Sequence, residues 1–277
     1  MAGPEQSTNH ASRGEVMHIV VCVKELIDPE LPPENFKVDP GTSTVAGAGR
    51  LPFVLNPFDE QAVEAALRIK DALGARVTVL SLGHEVHLEV LKKPLTMGAD
   101  ELILLQHETY AFLDSSSIAW ALAKAIEKVG DVDLVLCGRQ AADWDAGQVG
   151  LGVARLLGLP AVTTARKIDV LDGKARVERV TGEGYEVVEV ALPALVTVSN
   201  ELGQARYPIM AKLLEAARKK PTVWGPEELG FDLPERQVEL LELFQPVHEG
   251  SCEIAEGENP EEAAVNLARR LRQEKLL

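Results

Sequence analysis

Three short stretches hold the residues best suited to chemistry: VCVK at 21–24, NPFD at 56–59 and GRQAADWDAGQV at 138–149. The last follows DLVLC (133–137), an apolar run halted by Gly138, and a helix-like segment is expected to start near Asp145. A strand that stops at glycine and hands over to a helix leaves backbone N–H groups free for an anion. Gly138 would let backbone approach a ligand, Gln140 and Gln148 offer hydrogen bonds, and Asp143 and Asp145 suit ribose hydroxyls or a helix cap. The same residues also describe a plain turn before a capped helix.

The other reactive residue types form no catalytic or metal-binding pattern. GAGRLP (47–52) lacks the third glycine and the preceding strand of a dinucleotide fingerprint, and neither a GxxxxGK[ST] loop nor a GxSxG elbow occurs. The six histidines show no ligand spacing; His84 and His87, three apart, read as a solvated helix face. Cys22 and Cys137 lie in strand-like runs and read as small buried hydrophobes, with Cys252 apart from them. The expectation is a protein that binds something without covalent chemistry of its own, and so has no catalytic residues.

Composition narrows the partners. The 277 residues carry a formal charge of −15, which argues against nucleic acid or an anionic membrane as the main partner. No apolar run approaches the roughly 20 residues of a membrane-spanning helix, so an integral membrane protein is not expected. Three widely spaced cysteines suggest a reducing cytoplasm. Residues 1–16 read as a disordered leader, without the pattern of a signal or transit peptide.

The elements that must position these residues alternate between buried strands and amphipathic helices. Strands are expected at 18–24, 76–83, 101–105 and 133–138, and at AVTTARKIDV (161–170). Helices are expected at 56–74, through 88–100, at 114–130 and at 146–158. In the first helix, Asn56 or Asp59 would cap and Ala62, Ala66, Leu67, Ile69 and Leu73 would form the apolar stripe. Residues 174–200 switch to period two around GEG, an antiparallel hairpin leading into a further strand. The fold class is α/β: a doubly wound, mostly parallel sheet over 17–200 with an added antiparallel hairpin. An extended C-terminal arm over 201–277 follows. From Gly225 to Glu262 that arm has twelve acidic residues against one Arg, too little core to order alone, and a terminal amphipathic helix ends it. The basic residues Arg206, Lys212, Arg218, Lys219 and Lys220 are either a solvated face or a dock for an acidic partner.

In order along residues 17 to 232, VCVKELID, NPFDEQAVEAALRIK, TMGAD, DLVLCGRQAADWDAGQVG, LPALVTVSNE and RYPIMAK with RKKP resemble the beta (small) subunit of electron-transfer flavoproteins. The resemblance implies an electron carrier in a heterodimer with a larger alpha subunit that holds the redox FAD. This subunit would hold AMP, or a second FAD as in electron-bifurcating relatives. It implies a dehydrogenase or oxidoreductase as donor and a quinone- or ferredoxin-linked acceptor. Matching positions imply a nucleotide pocket of Cys22 (by its backbone), Asn56, Pro57, Phe58, Asp59 and Leu82 beside Ser81. To these it adds Gly138, Arg139, Gln140, Ala141, Ala142, Asp143, Trp144, Asp145, Ala146, Gly147, Gln148 and Val149. Phe58 matches a position near the partner's flavin, and Asp143 suits ribose or loop bracing. Arg206, Tyr207, Ile209, Met210 and Lys212 match a partner-binding segment. Only Pro208 separates Tyr207 from Ile209, whereas ordinary members have a longer loop there that anchors acyl-CoA dehydrogenases. GRQ and QVG are similar to the bifurcating branch, NPFD and ELID to the ordinary one, which leaves AMP and FAD both open. Arg139 favours FAD, because its guanidinium would sit near a reduced flavin's negative charge. Two other readings share the architecture. One is an ATP-cleaving enzyme, whose SGGxDS-type loop is missing, and the other is a homodimeric stress-type nucleotide-binding module.

Overall fold

The computed structural model describes residues 16–39, 41–42, 44–110, 113–230, 234–246 and 252–277; apart from Val16, the expected leader lies outside them. The strands are β1 (His18–Val23), β2 (Glu25–Ile27), β3 (Val38–Asp39), β4 (Thr44–Val45), β5 (Phe53–Leu55), β6 (Arg76–Gly83), β7 (Glu101–Gln106), β8 (Leu134–Gly138), β9 (Ala161–Leu171), β10 (Lys174–Thr181), β11 (Gly184–Ala191), β12 (Ala194–Val198) and β13 (Thr222–Trp224). The helices are α1 (Pro57–Leu73), α2 (Leu88–Leu91), α3 (Lys93–Met97), α4 (Ser115–Val129), α5 (Val149–Leu157), α6 (Met210–Arg218), α7 (Pro226–Leu229) and α8 (Pro260–Gln273).

Nine strands form one sheet in the order β11-β10-β9-β12-β8-β1-β6-β7-β13. The run from β9 to β13 is parallel, and β10 and β11 add antiparallel at one edge. The small pairs β2–β5 and β3–β4 are antiparallel. Strand β1 is buried along its whole length because both faces are covered. Ile19, Val21 and Val23 pack with Ala62, Ala66 and Leu67 of α1, while Val20 and Cys22 pack with Ala119 and Leu122 of α4 and Val153 of α5. This is the doubly wound α/β sheet with an added hairpin.

Several local expectations need correction. The helix expected over 88–100 is two short helices, since Pro94 has no N–H to continue a single one. Helix α5 begins at Val149 and not near Asp145, because Asp145 (φ 50°) and Gly147 (φ 62°) turn the chain in the left-handed region first. Leu73, expected in the apolar stripe of α1, is 53% exposed at the helix end, and Val63 and Ala65 join the buried face. Strand β13 pairs with β7, α6 packs on α3, and α7 packs on α4, so these elements of the expected arm lie against the α/β body.

Helix α5 lies flush on the sheet because its glycines allow it. A Cβ at Gly150 would stand 2.6 Å from Cys137 Sγ and 3.2 Å from Thr197 Cγ2. Gly150→Ala is therefore expected to cost roughly 1–3 kcal/mol in urea unfolding. Gly182→Ala, where nothing lies within 4 Å, is expected to stay within about 0.5 kcal/mol of wild type. Equal stability of the two variants would contradict the flush packing.

Candidate functional site

After β1 the chain builds β6 and β7 on one side, then returns to place β8 on the other. The carboxyl ends of β1 and β8 therefore diverge at the switch in strand order, where open α/β sheets bind ligands. The start of α1 lies across that point. Asp59, buried in the first turn of α1, accepts the Gly138 N–H on Oδ1 (2.9 Å) and the Lys24 N–H on Oδ2 (2.8 Å). Asn56, equally buried, donates from Nδ2 to the Gln140 carbonyl (2.9 Å) and accepts the Ala142 N–H on Oδ1 (3.2 Å). Neither caps α1: Asn56 occupies the N-cap position without a side-chain cap bond. Both side chains instead tie the two strand ends and the following loop to one helix start.

Gly138 has a different reason from the expected one. A Cβ there would lie 2.5 Å from Asp59 Oδ1 and 2.7 Å from Phe58 Cβ, so its bareness makes room for the start of α1. Its own N–H is already committed to Asp59. The loop beyond it is braced by Gln140 Nε2 donating to Asp145 Oδ1 (2.5 Å) and by the Asp145 N–H donating to the Ala141 carbonyl (2.9 Å). Asp143 pairs with Lys24 Nζ at 2.6 Å. Trp144, Asp145, Ala146, Gly147 and Gln148 are exposed, and Gln148 is the N-cap residue of α5. The Arg139 guanidinium lies over the Phe58 ring, 4.8 Å from its centroid. Pro57 is exposed, and Leu82 is half-buried near the end of β6, next to buried Ser81. The expected pocket residues thus gather around one corner. Within it, the first turn of α5 presents backbone N–H groups that have no partner inside the helix.

Burial pushes the Asp59 carboxyl up to about 7, against the opposing hydrogen bonds from Asn56, Gly138 and Lys24. Cys22 and Cys137 stand in register on β1 and β8, and burial raises both thiols, Cys22 to about 12. They are not poised as nucleophiles. Among the described residues no three His, Cys, Asp or Glu side chains could hold a metal ion together. The corner is thus a braced junction of two strand ends, a helix start and an exposed loop.

The segment expected to bind a partner divides in two. Tyr207 and Met210 are 78% and 79% exposed, and Ile209 between them, at the N-cap position of α6, is also at the surface. Arg206, however, pairs with buried Glu64 (2.8 Å) and with Asp71 (2.8 Å) of α1. Burial raises Glu64, but bonds from Arg206 and Arg68 outweigh it and hold the carboxyl below its usual range. Lys219 is bonded to Glu215 and to the Asp100 carbonyl, and the Lys212 ammonium lies close to Gly98. The basic stretch is thus partly internal bracing. His87 is no solvated helix face: it stacks on Phe53 at 4.0 Å and bonds to Glu25 ahead of α2. The sequence signal for Lys24 at this corner is a charged residue directly after a fully buried strand, at the sheet's carboxyl edge.

Residues 46–228 match the family described as electron transfer flavoprotein domain. The chain belongs to the electron transfer flavoprotein family. Its relatives include the caffeyl-CoA reductase–Etf complex subunit CarD of Acetobacterium woodii, 37% identical over 94% of this chain and 100% of that protein. The electron transfer flavoprotein subunit beta of Thermoanaerobacterium thermosaccharolyticum is 38% identical over 92% of this chain and 98% of its own. Protein FixA of Azorhizobium caulinodans is 37% identical over 78% of each. The resemblance to beta subunits of electron transfer flavoproteins therefore holds over most of the chain.

In this electron transfer flavoprotein domain, NPFD and the 138–149 loop lie inside the matched segment, and β1 with Lys24 precedes it. Because the Asp59 carboxyl is raised toward 7 from 3.8, the folded chain holds that proton more tightly than the unfolded chain. The resulting stability is fully present below about pH 4 and is lost as pH rises through about 7. Asp59→Asn removes that loss. The melting temperature of the variant minus that of wild type is expected to rise between pH 4 and 7 and then level off. A difference independent of pH would contradict the buried carboxylate.

Proposed function

We propose that the chain is the beta subunit of a heterodimeric electron transfer flavoprotein and that its switch-point corner holds an adenine nucleotide, either AMP or the adenosine end of a second FAD. The observation that carries this reading is the pairing of Asn56 and Asp59. One helix turn braces both strand ends and the 138–149 loop, and the start of α5 is left facing the switch point. Fit to a ligand is supported by two buried polar atoms at this edge without a hydrogen-bond partner among the described residues, Ser81 Oγ and Arg139 Nε. Buried groups left unpaired cost about 1–3 kcal/mol each, a cost a ligand's oxygens would relieve.

In this reading the flavins of the complex supply the electron chemistry, and this chain binds, orients and screens. Phe58, under Arg139, borders the alpha subunit's FAD. A cation at Arg139 favours the second-FAD form over AMP, since it offsets negative charge gained on reduction. A dehydrogenase or other oxidoreductase delivers electrons, and a quinone- or ferredoxin-linked acceptor removes them. No helix among the described residues is long and apolar enough to cross a membrane, and we assign the complex to the cytoplasm. The exposed Tyr207–Met210 segment serves as a partner contact. Residues 234–277 form the arm that lies on the alpha subunit, because α8 buries none of its residues in this chain and leaves Val265 and Leu267 exposed.

Two measurements test this. Co-expression with the alpha subunit, followed by acid release of nucleotides, is expected to yield two FAD per heterodimer, or one FAD and one AMP. One FAD and no adenine nucleotide at the second site would overturn the reading. Removal of residues 234–277, which spares α7, is expected to reduce heterodimer on size exclusion by at least about tenfold; unchanged yield would remove the arm from the interface.

A further inference from the structure

We propose that Lys24 is the phosphate-reading residue of the switch-point corner, and that Asp143 is the latch that holds its ammonium until a phosphate replaces the carboxylate. The proposal rests on the adenine-nucleotide reading above and adds how the site tells a nucleotide from a nucleoside.

The backbone of Lys24 is fixed on both sides. Its N–H donates to Asp59, and its carbonyl accepts the Asn56 N–H at 2.8 Å. The side chain starts from this rigid point at the end of β1 and reaches Asp143 Oδ2 at 2.6 Å, 119 residues further along the chain. The pair is partly open to solvent, with the two side chains 40% and 30% exposed. Such pairs are weak and readily exchanged.

The other aspartates at the corner are otherwise engaged, and Arg139 alone keeps a buried Nε without a partner among the described residues. Asp145 accepts from Gln140, and Asp59 accepts two backbone N–H groups. Arg139 lies on Phe58, and its charge helps lower the Glu201 carboxyl, after the larger effect of the Ser199 hydroxyl bond. A phosphate arriving at the start of α5 thus meets a loop with two aspartates, and Lys24 is the cation whose partner sits on that exposed loop. While the pair is closed, Lys24 masks the repulsion of Asp143. When it exchanges, the ammonium meets the phosphate with a charge-assisted bond. The adenosine moiety gains from neither step. Lys24 therefore acts on the phosphate alone, and Asp143 tunes it from behind.

The test is calorimetric titration of the full-length chain with AMP and with adenosine, in wild type, Lys24→Gln, Lys24→Arg and Asp143→Asn. Lys24→Gln is expected to weaken AMP about tenfold and leave adenosine unchanged, with a shallower dependence of AMP affinity on salt. Lys24→Arg is expected to retain the preference for AMP. Asp143→Asn, a surface change that stands independently of any folding defect at Lys24, is expected to tighten AMP about threefold. If all four proteins have the same ratio of AMP to adenosine affinity, the latch is wrong and the nucleotide site stands. If wild type binds neither AMP nor, in a parallel titration, FAD, the nucleotide reading fails and this proposal fails with it.

Discussion

The corner depends on a buried carboxylate that bridges two strand ends. Asp59 is nearly excluded from water, yet accepts the backbone N–H groups of Lys24, just after β1, and of Gly138, the last residue of β8, where the two strand ends part company. In a parallel sheet the last N–H groups have no further strand to pair with, so their partners must come from outside the ladder. A carboxylate in the first turn of a helix is favoured there by the helix dipole, which partly offsets the cost of burying its charge. Removing the side chain of residue 138 is the steric condition, since any Cβ would collide with Asp59 and Phe58.

From that bridge the rest of the site follows outward. Asn56, one turn earlier, holds the loop after β8 by its Gln140 carbonyl and Ala142 N–H, so the loop is anchored at its root and exposed at its tip. Gly150 lets α5 drop onto Cys137, which brings the start of that helix down to the sheet's edge. The rigid parts are therefore helix starts and strand ends, and the adjustable part is a loop held by polar side chains. That division suits the proposed role, in which this chain would retain a nucleotide while flavins carry the electron chemistry.

Much of the body was legible in the sequence because its signals are local. Strand β6 matches RVTVLSLG residue for residue, and α4 opens at Asp114, which accepts the Ser117 N–H, and ends at Gly130. What was not legible depends on distant partners. Asparagine and aspartate at a helix start read as caps, and only the fold reveals that Asn56 and Asp59 bond across more than 75 positions in sequence. The same holds for Arg206, which looked free for a partner and is tied to Glu64 and Asp71, and for Lys24 with Asp143. The start of α5 is not legible because Asp145 in a left-handed turn has no signature that separates it from a helix-capping aspartate. The pairing of β13 is not legible either, because the strand is three residues long and pairs only at the sheet's edge.

The most direct measurement is an experimental structure of the purified heterodimer at a resolution that reveals bound nucleotide. The expected result is an adenine nucleotide between the ends of β1 and β8, with a phosphate oxygen within hydrogen-bond distance of the first-turn N–H groups of α5. A corner closed by its own side chains, with every nucleotide of the complex bound elsewhere, would contradict the account.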